Sequence, residues 1–361
     1  MIQRDNLHYS FRHIDGYNKA FTIVIGARET GKTTSMWMDK IYNPWKKNFK
    51  PWVFLVRQAV EIDDSLITTI FDTNMNKFTD DNLVPIYKPS TFSSGIVDIY
   101  LNVKNKDGSE EKKLFLRMLS LNCPVYRLKK HVLRNIGGVF MDEFIINPEF
   151  NEKYISKEYS KLQELYSTLR READGVLKCY FCGNVYSLFN PLFVGLGVDV
   201  SKLKIGEIYV GNTYVIEWAK MSDALREKIL EENPFYKFDE DYQKYAVLGE
   251  AVNDRNIKLS KLPKNFYLHF VIKMDNKYIG IFRNNYIEDL EDKFYCRFLD
   301  EVSAKRTIYC FDFQQMVERS ILVSLDERYK LQKFKEAMRK RIVSFEDINV
   351  YYYCEEVFKN I

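Results

Sequence analysis

The stretch GARETGKTTS, Gly26 to Ser35, sets two glycines, a lysine and a threonine at the spacing G-x-x-x-x-G-K-T. That spacing is a phosphate-binding loop. Glycine lets the backbone curl and approach an anion closely. The N–H groups of such a loop then converge on phosphate oxygens. Gly26, Ala27, Arg28, Glu29, Thr30, Gly31, Lys32, Thr33 and Thr34 form the expected nucleotide cradle. Lys32 is expected on the β- and γ-phosphates and Thr33 on Mg2+, so ATP and Mg2+ are the implied cofactors. The flanks agree with this reading. Phe21 to Ile25 (FTIVI) is apolar and β-rich, like a buried parallel strand. Thr33 to Lys40 lacks Gly and Pro and opens a helix whose N-terminus faces the phosphates.

A second motif, GGVFMDEF (Gly137 to Phe144), is an apolar strand ending in two acids. Asp142 stands where a P-loop fold holds Mg2+, and Glu143 where a base takes a proton from attacking water. Adjacent acids are commonly just solvated, but four apolar residues precede these, and the two motifs support each other. An Asp-Glu pair favours ATP hydrolysis over nucleoside phosphorylation, which needs no activated water. A GTPase would show N-K-x-D after an apolar strand, and NKFT (Asn76 to Thr79) has neither the Asp nor the strand. Asn184, after CYFCG, reads either as a polar contact to the γ-phosphate or as an ordinary Gly-Asn turn. Arg170 and Arg171, in LRRE, are either charges favoured at a helix C-terminus or an arginine finger for a neighbouring subunit's ATP.

The elements that must position these groups alternate. Strands are expected at Trp52–Val56, Ile96–Val103, Lys113–Leu119, Gly138–Met141 and Leu177–Cys182, with Asp107-Gly108 turning a hairpin and a helix at Lys157–Glu172. This alternation predicts a parallel α/β sheet of the P-loop NTPase (ASCE) type. Ala219 to Val252 is charged and helical. From Phe266 the pattern turns to strand, turn, strand, then Arg306–Phe311, Leu322–Leu325 and a basic helix, Lys330–Val343. The expected division is 1–217, a P-loop ATPase domain; 218–259, a helical linker or lid; and 260–361, a smaller α+β domain.

With 361 residues, 46% hydrophobic and 29% charged, the composition is that of a soluble globular protein with a sizeable core. A net charge of +4 is compatible with nucleic acid without arguing for it. The start is no signal peptide, and no apolar run reaches ~18 residues, so no membrane partner is expected. Six scattered cysteines suit a reducing compartment, and CYFC (Cys179 to Cys182) reads as buried strand rather than zinc or redox site.

GARETGKT, GVFMDEF and CGNVYSLFNPLF, in this order, resemble the genome-packaging (encapsidation) ATPases of small protein-primed tailed phages, relatives of terminase large subunits. The resemblance implies an arginine at the place of Arg28, adding positive charge over the phosphates. It implies a motor that moves double-stranded viral DNA into a procapsid as a homo-oligomeric ring, usually pentameric, docked on the portal. A packaging RNA is a further candidate partner, and the host cytoplasm is the expected location, with transient residence on the procapsid. Arg171, with Arg170 behind it, maps to the trans arginine. Lys129 and Lys130, in RLKKHVLR, are the first candidates for DNA contact, against a plain solvated loop; Lys46 and Lys47, in the expected loop WKKNFK, come next. Terminase relatives carry an RNase H-like nuclease in the second domain, which needs clustered acids around metal ions. Asp275 and Asp312 do not make a convincing cluster, so the domain is expected to be RNase H-like and non-cleaving. The alternatives are a helicase or terminase-like ATPase with an active nuclease, and a nucleotide-gated assembly protein with slow turnover.

Overall fold

A computed structural model describes residues 7–105, 107–124, 133–147, 152–171, 173, 175–237, 239–251, 257–274, 277–284, 294–303, 306–311, 316–323 and 328–359. The chain forms two units: residues 1–198 with 203–252, and residues 199–202 with 253–361.

The first unit is built on β1 (Phe21–Gly26), β2 (Trp52–Val56), β3 (Ile96–Lys104), β4 (Glu110–Ser120), β5 (Gly138–Met141), β6 (Cys179–Asn184), β7 (Ile208–Val210) and β8 (Tyr214–Ala219). Their order across the sheet is β3-β4-β2-β5-β6-β1-β8-β7. The six inner strands are parallel, and β3 and β7 pair antiparallel at the two edges. Burial follows sequence pattern. FTIVI and WVFLV are apolar runs covered on both faces, whereas β3 alternates along its length as an edge strand should.

A continuous helix, α1 (32–48), follows the P-loop; its middle, Met36–Tyr42, widens into π-helical turns. It packs Trp37 against Phe54 and Phe140, with ring centroids 5.2 and 5.4 Å apart. The short α2 (Asp64–Thr68) comes next, and α3 (Glu158–Arg170) covers the opposite face, its Tyr166 ring 5.2 Å from Phe21. The α4 helix (Pro191–Leu196) explains the Asn-Pro-x-Phe run: Asn190 Oδ1 accepts from Phe193 N at 2.9 Å, and Pro191 takes the first helical position. Two further helices, α5 (Asp223–Glu232) and α6 (Glu240–Ala246), complete this unit. The glycine pair before VFM makes room for Trp52 on the adjacent strand, because a Cβ on Gly138 would lie 2.7 Å from its ring.

The second unit contains β9 (Lys258–Leu259), β10 (Phe266–Met274), β11 (Lys277–Asn284), β12 (Phe294–Leu299), β13 (Ile308–Cys310), β14 (Ser320–Leu322) and β15 (Val343–Phe345), with α7 (Arg328–Arg339) and α8 (Ile348–Lys359). The sheet order is β14-β13-β10-β11-β12-β15-β9. The meander β10-β11-β12 is antiparallel, and β13 and β14 continue parallel to β10, the strand arrangement of an RNase H-like sheet. Leu331 and Phe334 of α7 and Val350 and Cys354 of α8 close the core on one face. Strands β9 to β15 carry no Asp or Glu within these bounds. Among the described residues no group of three His, Cys, Asp or Glu is placed to hold a metal ion.

Several expectations change. Strand β8, read as the end of the first domain and the start of the helical part, is one parallel strand beside β1. Strand β12 had no signal in the sequence reading. The last expected strand, Leu322–Leu325, lies at Ser320–Leu322, and the basic helix stops at Arg339, with Val343 starting a strand. WKKNFK is not a loop: Lys46 and Lys47 sit in the last turns of α1, where the chain stays helical behind Pro44.

Candidate nucleotide-binding site

The P-loop leaves the C-terminal end of β1, and neighbouring strands bring the other motifs to the same edge. Strand β6 lies between β1 and β5, with Gly26 level with Asn184 and Met141 level with Phe181. The residue after Met141 is Asp142, so both motifs and Asn184 meet at one sheet edge, the usual ligand position in open α/β sheets. Asn184 is the last residue of β6 rather than a residue beyond it.

Gly31 has φ +85° at the N-cap of α1, a conformation that favours glycine, and a Cβ on Gly26 would sit 2.5 Å from Ala219 O. Lys32 is 5% exposed. Its ammonium donates to Ala27 O at 2.5 Å and Thr30 Oγ1 at 3.0 Å, with Asn184 Oδ1 at 3.5 Å. Burial lowers its pKa to about 8. The Thr33 hydroxyl hydrogen-bonds Asp142, whose pKa burial and then Glu143 raise to about 6. Glu143 turns out of the strand with φ +50° and is exposed. These groups line one cavity of about 690 Å3 together with Arg28, Glu29, Thr34 and Gly183. A buried ammonium, a hydroxyl held to a carboxylate, and an exposed acid beside them suit a Mg2+-bound polyphosphate.

The family model of the Podovirus DNA encapsidation protein (Gp16) matches residues 98–361. The chain belongs to this family. DNA packaging is therefore the process in which it works. Two solved structures share its fold over nearly the whole chain. The bacteriophage Phi-29 viral genome packaging motor assembly matches with TM-score 0.66 and 20% identity, covering 98% of this chain and 99% of that one. The Phi-28 gp11 DNA packaging motor matches with TM-score 0.63 and 16% identity, covering 97% and 96%. No curated protein sequence matches the chain.

Other residues of this encapsidation protein stand where the sequence reading did not look. His8, Asn74, Phe78, Lys228, Asn233, Tyr236 and Tyr242 also line the cavity. No local motif marks them, since each comes from a distant segment. Arg57, just past β2, donates through Nη1 to Glu143 O at 2.9 Å and through Nη2 to Phe144 O. Its Nε faces the buried Glu158 carboxylate.

Arg170 and Arg171 are exposed at the end of α3, away from this cavity. The helix starts beside Arg57 and runs roughly 20 Å to the opposite edge of the sheet, where Tyr166 meets the first residue of β1. Among the DNA candidates, Lys46 and Lys47 are both exposed, and Lys46 is paired with Asp81 at 2.7 Å. Lys129 and Lys130 lie outside the described residues, as do Asp275 and Asp312. Among the described residues no helix is long and apolar enough to cross a membrane.

Proposed function

We propose that this chain hydrolyses ATP and uses the cycle to drive double-stranded DNA into a procapsid, working as a homo-oligomeric ring on the portal. The observation that carries the reading is the cavity at the sheet edge, where Lys32, Thr33, Asp142, Glu143 and Asn184 come together in a DNA encapsidation protein. The fold shared with two packaging motors supports it.

Thr33 and Asp142 would hold Mg2+, which neutralises phosphate charge when bound. Lys32 and Arg28 would hold the phosphates with positive charge. Glu143, exposed beside Asp142 and facing the charges of Arg28 and Lys32, would accept the proton of the attacking water. Asn184, beside Lys32, would sense the terminal phosphate. The position of Arg170 and Arg171 supports action on a neighbouring subunit, because the far edge of the sheet is out of reach of their own cavity. The second unit, RNase H-like in its strand order, is read as non-cleaving.

The test is ATP-dependent uptake of duplex DNA by procapsids supplied with this chain. Lys32→Ala should lose tight ATP binding. Glu143→Gln should bind ATP and lose both turnover and uptake. Uptake at normal rates by Glu143→Gln would overturn the reading. Strand displacement on a forked duplex without uptake would make the chain a helicase. Cleavage of plasmid with Mn2+ would show an active nuclease.

A further inference from the structure

Two adjacent P-loop residues of opposite charge are each held by a tyrosine of the helical segment. Arg28 Nη1 donates to Tyr242 Oη at 3.3 Å, and the Tyr236 hydroxyl donates to Glu29 Oε1 at 2.9 Å. The two rings stack, with centroids 5.4 Å apart and planes 23° apart. Tyr242 leans on Tyr245, and Tyr245 on Tyr186, so the stack is buttressed from the β6 side. The main chain locks the same contact. Arg28 N donates to Ala246 O at 2.8 Å, and a Cβ on Gly249 would lie 2.6 Å from Ala27 N. Arg28, Glu29, Tyr236 and Tyr242 all line the nucleotide cavity.

The chemistry of these partners is specific. A phenol oxygen accepts an N–H from a guanidinium without cancelling its charge, whereas a carboxylate would pair it off. Arg28 thus keeps its full charge while its flexible side chain is aimed, which removes part of the ordering cost of binding. Glu143 already faces that charge across the cavity, and Glu29, the next residue in the loop, is a second carboxylate that could pair with it. The φ of Glu29 is +57°, and its oxygen is turned to Tyr236.

We propose that the Tyr236–Tyr242 stack is a positioning device for the nucleotide: Tyr242 aims Arg28 at the terminal phosphate, and Tyr236 keeps Glu29 from neutralising it. This rests on the reading of Arg28 as a phosphate-binding residue. Lid placement and recognition of the terminal phosphate then become one event, since the same two rings belong to the helical segment and grip the loop.

The experiment measures dissociation constants of ADP and ATPγS for the full chain and five variants. Arg28→Ala should cut the preference for ATPγS over ADP about tenfold, the scale of one hydrogen bond to a charged group. Tyr242→Phe should cut it about three- to tenfold with ADP affinity and melting temperature kept. The double variant Arg28→Ala/Tyr242→Phe should be no worse than Arg28→Ala, because the two act as one unit. Tyr236→Phe should also lower the preference, and Tyr236→Phe/Glu29→Gln should restore it by removing the competing charge. A purely structural stack would weaken both nucleotides equally and show no rescue, which overturns the proposal. An unchanged preference in Arg28→Ala overturns the Arg28 reading and the proposal with it. A clear loss in Arg28→Ala with none in Tyr242→Phe overturns the tyrosine device alone.

Discussion

Arg57 Nε lies 3.1 Å from both carboxylate oxygens of Glu158, while the same guanidinium holds the carbonyls of Glu143 and Phe144. One side chain at the end of β2 thereby ties the acid-bearing turn to the first turn of α3. The pair is buried, with side chains 11% and 8% exposed. Arg57→Ala would leave Glu158 buried without its cation, at a cost of about 3–5 kcal/mol. Arg57→Lys keeps the charge but loses the planar fork that reaches three acceptors. We expect Arg57→Lys to fold and bind ATP yet turn over slowly, because Glu143 loses the clamp on its left-handed backbone. Steady-state turnover beside thermal melting checks this; turnover at the wild-type rate would separate Arg57 from Glu143.

Lys32 should destabilise the nucleotide-free protein. Burial lowers its pKa from 10.5 to about 8, so the folded state disfavours the charged form. The stability it contributes is complete above its unfolded pKa of 10.5 and is lost as pH falls through about 8. At pH 7 the charge therefore costs on the order of 3–4 kcal/mol at most. Lys32→Met should melt higher than the parent without nucleotide and gain nothing from ATPγS. A lower melting temperature for Lys32→Met would show that the contacts to Ala27 and Thr30 outweigh the desolvation.

An arginine supplied in trans makes turnover depend on ring formation. Arg171→Ala should bind ATP and stay slow at every concentration, the loss reaching roughly 10³-fold or more. Mixed with Glu143→Gln, it should regain activity at interfaces that join an intact Glu143 to an intact Arg171. A helix-capping arginine predicts no rescue and a stability loss of no more than ~1 kcal/mol. Arg170→Ala in the same mixture decides between the two arginines.

Duplex binding should separate the lysine candidates by salt dependence. Removing Lys129 and Lys130 together should lower the salt slope by about 1 per lost phosphate contact. Lys47, exposed on α1, should contribute more than Lys46, which Asp81 holds at 2.7 Å. Equal slopes for Lys46→Ala and Lys47→Ala would show that DNA displaces Asp81.

The residues of the candidate nucleotide site were legible in the linear sequence because its parts are local. A P-loop needs its glycines and lysine within eight residues, and an acid strand carries its own apolar run, so short-range order determines the chemistry. GARETGKT, DEF and Asn184 needed no knowledge of the fold to be found. The apolar runs of β1, β2, β5 and β6 likewise announced a parallel sheet, since strands covered on both faces lose their polar alternation. The weaker strands β8 and β12 gave no such sign, because their burial comes from neighbours far along the chain. The same distance hid Arg57, whose partners lie 86 to 101 residues away, and the tyrosines at 236 and 242, more than 200 residues from the loop they grip. Only the packed sheet decided which of many arginines and tyrosines meet the P-loop and the acid turn, because a side chain's partners across the fold depend on strand order and not on spacing in the chain.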